Sequence, residues 1–265
     1  MKIHLPLLAA LALLPVLARA QGTVNALEND FSTRTSLALD KKLSPGLHLE
    51  AEYELRTENA LSKIDRHQLS LGLSYKFTPW LKGGLSYTFF DRYGTNAGWE
   101  PRHRLSGSLT FAYRAGDWRF SLREMLQLTH KTEDLNIYQE TRNYLALKSR
   151  FKVQYKGFSR VEPYALFELK TVLNDPACTA TWNTASSSYS NYSFTGYTDA
   201  YITRYRGGLG IEWKISPQHA LNFYGLADYC FEKNIDTNKE GTRLKSLTYD
   251  RKFNTTVGIG YTFSF

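Results

Sequence analysis

The sequence predicts an all-β protein: an antiparallel up-and-down transmembrane β-barrel of about twelve strands, with ten as the fallback, preceded by a cleaved signal peptide. Three observations carry this reading. Apolar and polar residues alternate with period two across most of the chain, the connections between alternating runs are short and long in turn, and no apolar stretch suits a membrane helix. The longest such stretch, Leu5 to Leu17, is interrupted by Pro6 and Pro15 and falls short of the roughly 20 residues that a spanning helix needs.

Taken in order, residues 1–20 read as a signal peptide. Lys2 is a short basic start, Leu5 to Leu17 the apolar region, and Ala18-Arg19-Ala20 places small residues where a signal peptidase reads them. Residues 21–265 then form a single barrel domain, and with Lys2 and Arg19 gone the 33 basic residues become 31 against 25 acidic ones, a charge of +6. Strands are expected at about 31–43, 47–58, 66–77, 81–92, 102–114, 118–131, 143–155, 161–172, 201–215, 219–232 and 248–265. That makes eleven. Residues 22–29 are expected either to supply a twelfth strand or to pass through the lumen, because single-chain bacterial barrels normally have an even number.

The alternation is plain in several runs. Leu69, Leu71, Leu73, Tyr75 and Phe77 share one face against Ser70, Gly72, Ser74 and Lys76, and Val257, Ile259, Tyr261, Phe263 and Phe265 share one against Gly258, Gly260, Thr262 and Ser264. Tight turns are signalled at Ser44-Pro45-Gly46, Thr78-Pro79-Trp80, Ala115-Gly116-Asp117, Lys156 to Arg160 and Ser216-Pro217-Gln218. Longer loops are expected near 59–65, 93–100, 133–142, 173–200 and 233–246, which is the asymmetry of an outer-membrane barrel. A hairpin unit whose descending strand opens on arginine repeats five times, at Arg34, Arg66, Arg102, Arg142 and Arg204, so each copy leans on its neighbours.

Composition separates this barrel from a soluble sandwich or a lipocalin-like barrel. The chain has 18 Tyr, 15 Phe and 5 Trp yet a hydrophilic mean hydropathy, so its apolar residues must be gathered on one surface. Aromatics gather toward strand ends (Tyr75, Phe77 and Trp80; Tyr113 and Trp118; Tyr155 and Phe158; Trp213), as in girdles at a membrane boundary. Two residues break the face rule. Glu124 and Arg251 have lipid-facing parity, and a bulge near Arg123 to Met125 is expected to reset the register for the first, while Arg251, near the outer end, is expected to snorkel.

The terminal Gly258-Ile259-Gly260-Tyr261-Thr262-Phe263-Ser264-Phe265 looks like the end of a bacterial outer-membrane protein. With the arginine-led hairpins and Leu-x-Leu-x-Tyr-x-Phe runs, the chain resembles an uncharacterised bacterial outer-membrane barrel family known as domain of unknown function 2490. There is a looser similarity, in size and arginine tracks, to small porins for acidic sugars. The resemblance implies an outer-membrane location in a Gram-negative-type bacterium, contact with membrane lipid and lipopolysaccharide, and recognition of the last strand by the assembly machinery through Tyr261, Phe263 and Phe265. It supplies no catalytic residues.

Parity directs charge into the lumen. The basic set is Arg34, Arg66, Arg102, Arg104, Arg142, Arg150, Arg204 and Arg206; the acidic set includes Glu50, Glu52, Glu54, Glu168 and Asp228, with Arg119, Arg123, Lys152 and Lys170 also inward. The functional expectation is a narrow passive channel biased toward anionic small solutes or oligosaccharides. The alternative is a non-conducting structural or adhesion barrel whose ion pairs close the lumen. The chain is not expected to be an enzyme. A lipid hydrolase needs nucleophile and base within reach, whereas His67 with Ser70 and His103 with Ser106 fall on opposite strand faces. No metal or cofactor site is expected, since His48, His67, His103, His130 and His219 are scattered singly. No nucleic-acid partner is expected either, because basic residues interleave with acidic ones. Cys178, in the longest expected loop, could pair with Cys230 after export, or both could remain thiols.

Overall fold

A computed structural model describes residues 22–94 and 98–265; the signal peptide expected at 1–20 lies outside the described residues. All the regular structure described is β. The strands are β1 (Thr23–Ser44), β2 (Leu47–Glu58), β3 (Lys63–Thr78), β4 (Leu81–Gly94), β5 (Gly98–Ala115), β6 (Trp118–Lys131), β7 (Asn143–Tyr155), β8 (Val161–Asn183), β9 (Ser188–Lys214), β10 (His219–Thr237) and β11 (Leu244–Ser264). They form one closed ring in sequence order, with β1 against β11. Closure leaves no open sheet edge, which is what a polar backbone surrounded by hydrocarbon requires.

The ring thus has eleven strands, between the twelve and the ten the sequence allowed. Residues 23–30 do not make a strand of their own. They run unbroken into β1, and this long strand lies parallel to β11 from Thr23↔Thr248 to Asp40↔Ser264, with one register shift between Val24 and Leu27. Every other neighbouring pair is antiparallel, so an odd number closes through a single parallel seam. At its short-turn end the seam is tied by Lys42 N–H to the Phe265 carbonyl and by Phe265 N–H to the Asp40 carbonyl, each 2.9 Å.

The short turns follow local chemistry. Gly46 sits at φ 84°, where an L side chain is strained, and the hairpin it turns joins β1 to β2. Gly116 and Asp117 make a two-residue turn between Ala115 and Trp118, which pair directly. This turn shifts the numbering parity, so outward-facing residues are odd on the other strands and even on β6. The outward face is apolar. Leu85 and Leu209 are 67% and 70% exposed in mid-strand, far more than an aqueous surface would carry in a continuous band. Aromatics border that band at both ends. Trp80 stacks on Phe111 and Phe263 on Phe265, and Trp118 meets Tyr155 at a tilt, at the short-turn end, and Tyr53, His67, Trp99 and Tyr93 form a chain of rings toward the other.

The bulge expected near Arg123 to Met125 is absent: β6 pairs in unbroken register with both β5 and β7. Glu124 remains outward and accepts a hydrogen bond from Ser149 Oγ at 2.6 Å, so the local partner takes the place of a register shift. Arg251 is also outward, with Nε donating to the Asn25 carbonyl at 3.1 Å. A bulge does occur in β3, where Asp65 is the extra residue opposite Arg56 and Thr57 and is buried beside Arg66.

The outer end departs most from expectation. Residues 173–200, read as a solvated loop, instead extend β8 and β9 as a long hairpin turned at 184–187, because Thr, Tyr and Trp alternate there through Trp182 and Tyr189. The 233–246 loop likewise shrinks to 238–243. Pairing of β9 with β10 stops at Arg204↔Cys230, above which the two hairpins separate and pack face to face. Ile235, Leu244 and Leu247 are buried between them against Cys178, Ala180, Tyr189 and Tyr192. The β6–β7 loop, residues 132–142, reaches the β10–β11 tip from a non-adjacent part of the ring. Asn136 Nδ2 donates to Thr237 Oγ1 and to the Asn238 carbonyl, both at 3.2 Å. Gln139 Nε2 donates to Asp236 Oδ1 at 3.0 Å and to the Thr237 carbonyl at 3.1 Å. Tyr197 OH donates to the Ile137 carbonyl at 2.8 Å. Gly241, at φ 64°, lies so close to the Tyr138 ring that a Cβ there would stand 2.3 Å from it. This loop forms a strap across part of the outer opening.

Candidate functional site

The barrel interior is built by the inward parity of the strands. A cavity of about 420 Å³ occupies it, within the range of about 300–1,000 Å³ typical of small-molecule pockets. Seven basic side chains line it (Arg34, Arg56, Arg104, Arg123, Lys148, Arg150 and Arg206) against three acidic ones, Glu50, Glu52 and Glu54. The acidic three share one strand, β2, whereas Arg104, Arg123, Lys148 and Arg150 stand on β5, β6 and β7 across the ring. Cationic lining thus predominates on the β5–β7 side, whereas the β2 side gathers the lining carboxylates together with Arg56.

On the basic side two carboxylates organise the wall. Glu168 on β8 has no exposed surface; it accepts from Arg150 Nε at 2.7 Å and Arg204 Nη2 at 2.6 Å, with Arg206 at 3.6 Å and Arg123 at 4.0 Å. Asp228 on β10 is held by the Arg206 fork, Nε and Nη2 each at 2.6 Å, with Arg34 at 3.9 Å. Five guanidinium groups thus share two carboxylates. Such desolvated charges are tolerated only when paired and hydrogen-bonded, and here the cations outnumber their partners.

The opposite wall is quieter. Glu54 is bonded by Arg56 at 2.5 Å, and Glu50 by Ser74 at 2.7 Å and Lys82 at 3.1 Å. Arg66 is held by Asp65 at 2.7 Å. Toward the short-turn end, Glu162 gathers Gln154, Lys156 and Lys214, and the Lys152 ammonium lies 3.9 Å from the Tyr164 ring centroid. Arg104 lies over the buried Phe90 ring at 4.4 Å and donates from Nε to Thr129 Oγ1 at 3.0 Å.

Two residues of the inward set sit elsewhere in the arrangement. Arg142 precedes β7, and its Nη1 donates to the carbonyls of Lys131 and Glu133 at 3.1 and 3.3 Å, so it secures the strap. Arg102, near the outer end, bonds Glu100 at 3.0 Å and also Glu133 in that loop. Lys148 and Phe90 were missed by sequence reasoning, although inward parity was the signal available for both.

Cys178 and Cys230 are free thiols, so the bridge weighed from the sequence is not formed. Their settings differ: Cys178 packs against the apolar cluster of the outer hairpins, and Cys230 lies at a lumen-facing register position opposite Arg204. The histidines near the outer band bond tyrosines on the outward face, His67 with Tyr53 at 2.7 Å and His103 with Tyr87 at 2.6 Å. Ser70 and Ser106 point the other way, to Thr88 at 3.0 Å and Gln127 at 3.3 Å. Of the terminal aromatics, Tyr261 bonds His219 at 2.5 Å and Phe265 lies beneath the Lys41 ammonium, 5.2 Å away. Among the described residues, no three His, Cys, Asp or Glu side chains converge as a metal set.

The family described as "Protein of unknown function (DUF2490)" matches residues 31–239, and the chain belongs to it. No curated protein matches the chain.

Proposed function

Given that family and this interior, we propose that the protein is an outer-membrane barrel acting as a narrow passive channel biased toward small anions. The observation that supports it is the lining of the cavity, seven basic side chains against three acidic ones, with four of the basic ones on β5–β7 across the ring from the acidic β2. A lumen with excess positive charge concentrates anions and lowers their entry barrier, which is how charged constrictions select ions. The outward apolar band with aromatic borders would contact membrane lipid, and exposed basic outer residues would meet lipopolysaccharide. Tyr261, Phe263 and Phe265 would present the last strand to the assembly machinery. No catalytic role is assigned to any residue.

The test is single-channel conductance of the refolded protein in a planar bilayer, with folding confirmed by a heat-modifiable gel shift. Current should favour chloride over potassium, and Arg104→Glu combined with Lys148→Glu should reduce that preference. A folded barrel without current would overturn the channel. It would favour the second reading, a structural barrel, which is supported by the strap and by the tightly paired Glu168 and Asp228 networks.

A further inference from the structure

Register places three like charges side by side. Lys148 on β7 is the direct partner of Lys170 on β8, and Lys170 is the direct partner of Arg204 on β9. Directly opposed residues have Cβ atoms about 4.5–5.5 Å apart, and like charges so placed destabilise a sheet. Arg104, on β5 two strands along the same wall, joins the group: it lines the cavity with Lys148, and its charge acts on both Lys148 and Lys170.

The protein does not neutralise this group. Among the described residues, Lys148, Lys170 and Arg104 have no carboxylate within ion-pair distance, and neither lysine ammonium has a hydrogen-bond acceptor. Lys170 has only the Tyr144 ring, 4.7 Å from its ammonium. Arg204 does reach Glu168, but that carboxylate also serves Arg150 and Arg206, and Arg204 Nε is buried without a partner. Glu168 acts on Lys148 and Glu232 on Lys170, each only from beyond contact. Such a row in a confined interior holds more positive charge than the carboxylates in contact with it can answer.

We propose that Arg104, Lys148, Lys170 and Arg204 form a binding site for a doubly charged oxyanion, a phosphate or sulfate group. Arg104 and Lys148 line the cavity, so a solute in the lumen reaches the site. The Phe90 ring holds the Arg104 guanidinium by its face and leaves its terminal N–H groups free to donate. Planar guanidinium donors together with ammonium groups suit an oxyanion better than a halide, because several oxygens can be bonded at once. The site deepens the channel reading and rests on it for the route by which solute arrives.

The experiment follows thermal unfolding of the refolded protein in detergent, titrated with sodium phosphate, sodium sulfate or sodium chloride at matched ionic strength. Phosphate and sulfate should raise the midpoint saturably, and chloride should not. In anion-poor buffer Lys148→Met should raise the midpoint by relieving repulsion, yet weaken the apparent phosphate affinity by about tenfold, as loss of one charged contact would. Lys170→Met should do the same, and serves if the first variant does not fold. Equal effects of phosphate and chloride, or unchanged phosphate affinity in the folded variant, would overturn the site. Conductance separates the two readings: phosphate-specific stabilisation without current removes the channel and keeps the site, whereas current without such stabilisation keeps the channel and removes the site.

Discussion

Replacing Glu168 with glutamine tests the inner wall directly. The substitution keeps shape and removes one charge at a position with no exposed surface, where two hydrogen bonds, from Arg150 at 2.7 Å and Arg204 at 2.6 Å, converge with a further Arg150 ion-pair contact at 2.6 Å. Hydrogen bonds to charged groups contribute about 1.5–3 kcal/mol each, and removing one partner from a buried pair costs about 3–5 kcal/mol. Because the cavity adjoins the site and can admit water and anions, the lower end applies, about 3 kcal/mol. That corresponds to roughly a hundredfold in the folding equilibrium. Urea unfolding of the protein in lipid vesicles, followed by the heat-modifiable gel shift, reads this loss. Arg150→Met in the same background supplies a control, since an arginine that has already lost its carboxylate should cost less to remove; a coupling above about 1 kcal/mol is expected. A loss under about 1 kcal/mol for Glu168→Gln, or strictly additive effects of the pair, would refute the idea that this carboxylate holds the wall together.

Other outcomes follow from single features. Glu124→Leu should stabilise the barrel in lipid by about 1 kcal/mol, because a carboxylate leaves the apolar band, offset in part by the lost Ser149 bond; destabilisation in the same urea assay would contradict the outward placement. Combining Asn136→Ala with Gln139→Ala removes the four side-chain hydrogen bonds that join the strap to the β10–β11 tip and should raise single-channel conductance, whereas unchanged current would mean the strap does not obstruct the path. Burial in the outer hairpins pushes the Cys178 thiol up from its ordinary value. Its thiolate is therefore scarce at pH 7, and maleimide labelling should be slow there and quicken as pH rises, while fast labelling at neutral pH would argue against the packed hairpins.

The barrel was legible because its signal is local. A strand exposes its two faces by number, so Leu69 to Phe77 or Val257 to Phe265 declares which side meets which surroundings without reference to the rest of the chain. Strand number was not, because Thr23 to Asp30 lacks a clean alternation and acquires its pairing only from β11, more than 200 residues away. The outer hairpin of β8 and β9 was hidden by composition. Serine, threonine, asparagine and tyrosine suit a wet loop and a wet strand equally, and the apolar cluster that fixes the hairpin comes largely from β10 and β11. Parity directed the charges inward, but which of them meet depends on register. Glu168 sits opposite Arg150 and Arg206, while Lys170 sits opposite Lys148 and Arg204, a two-residue difference along β8 that separates a neutralised row from an unneutralised one. Arg142 was counted with the lumen charges, although the same reading ended a loop at 142, and in the fold it bonds that loop's own carbonyls.

The parallel seam has a mechanical meaning. Every antiparallel junction in the ring is clamped at one end by a turn or loop of the chain, so its strands cannot separate fully without unfolding. β1 and β11 share no such connection and are the first and last strands of the fold. Their junction holds by ladder bonds and a few side-chain links, among them Ser32 to Thr256 at 2.7 Å and Lys252 to Asp30 at 3.0 Å. A barrel pulled open sideways, whether by an insertion machine during assembly or by force in a single-molecule experiment, would part along this line first and leave all eleven strands as a curved sheet with β1 and β11 as its free edges.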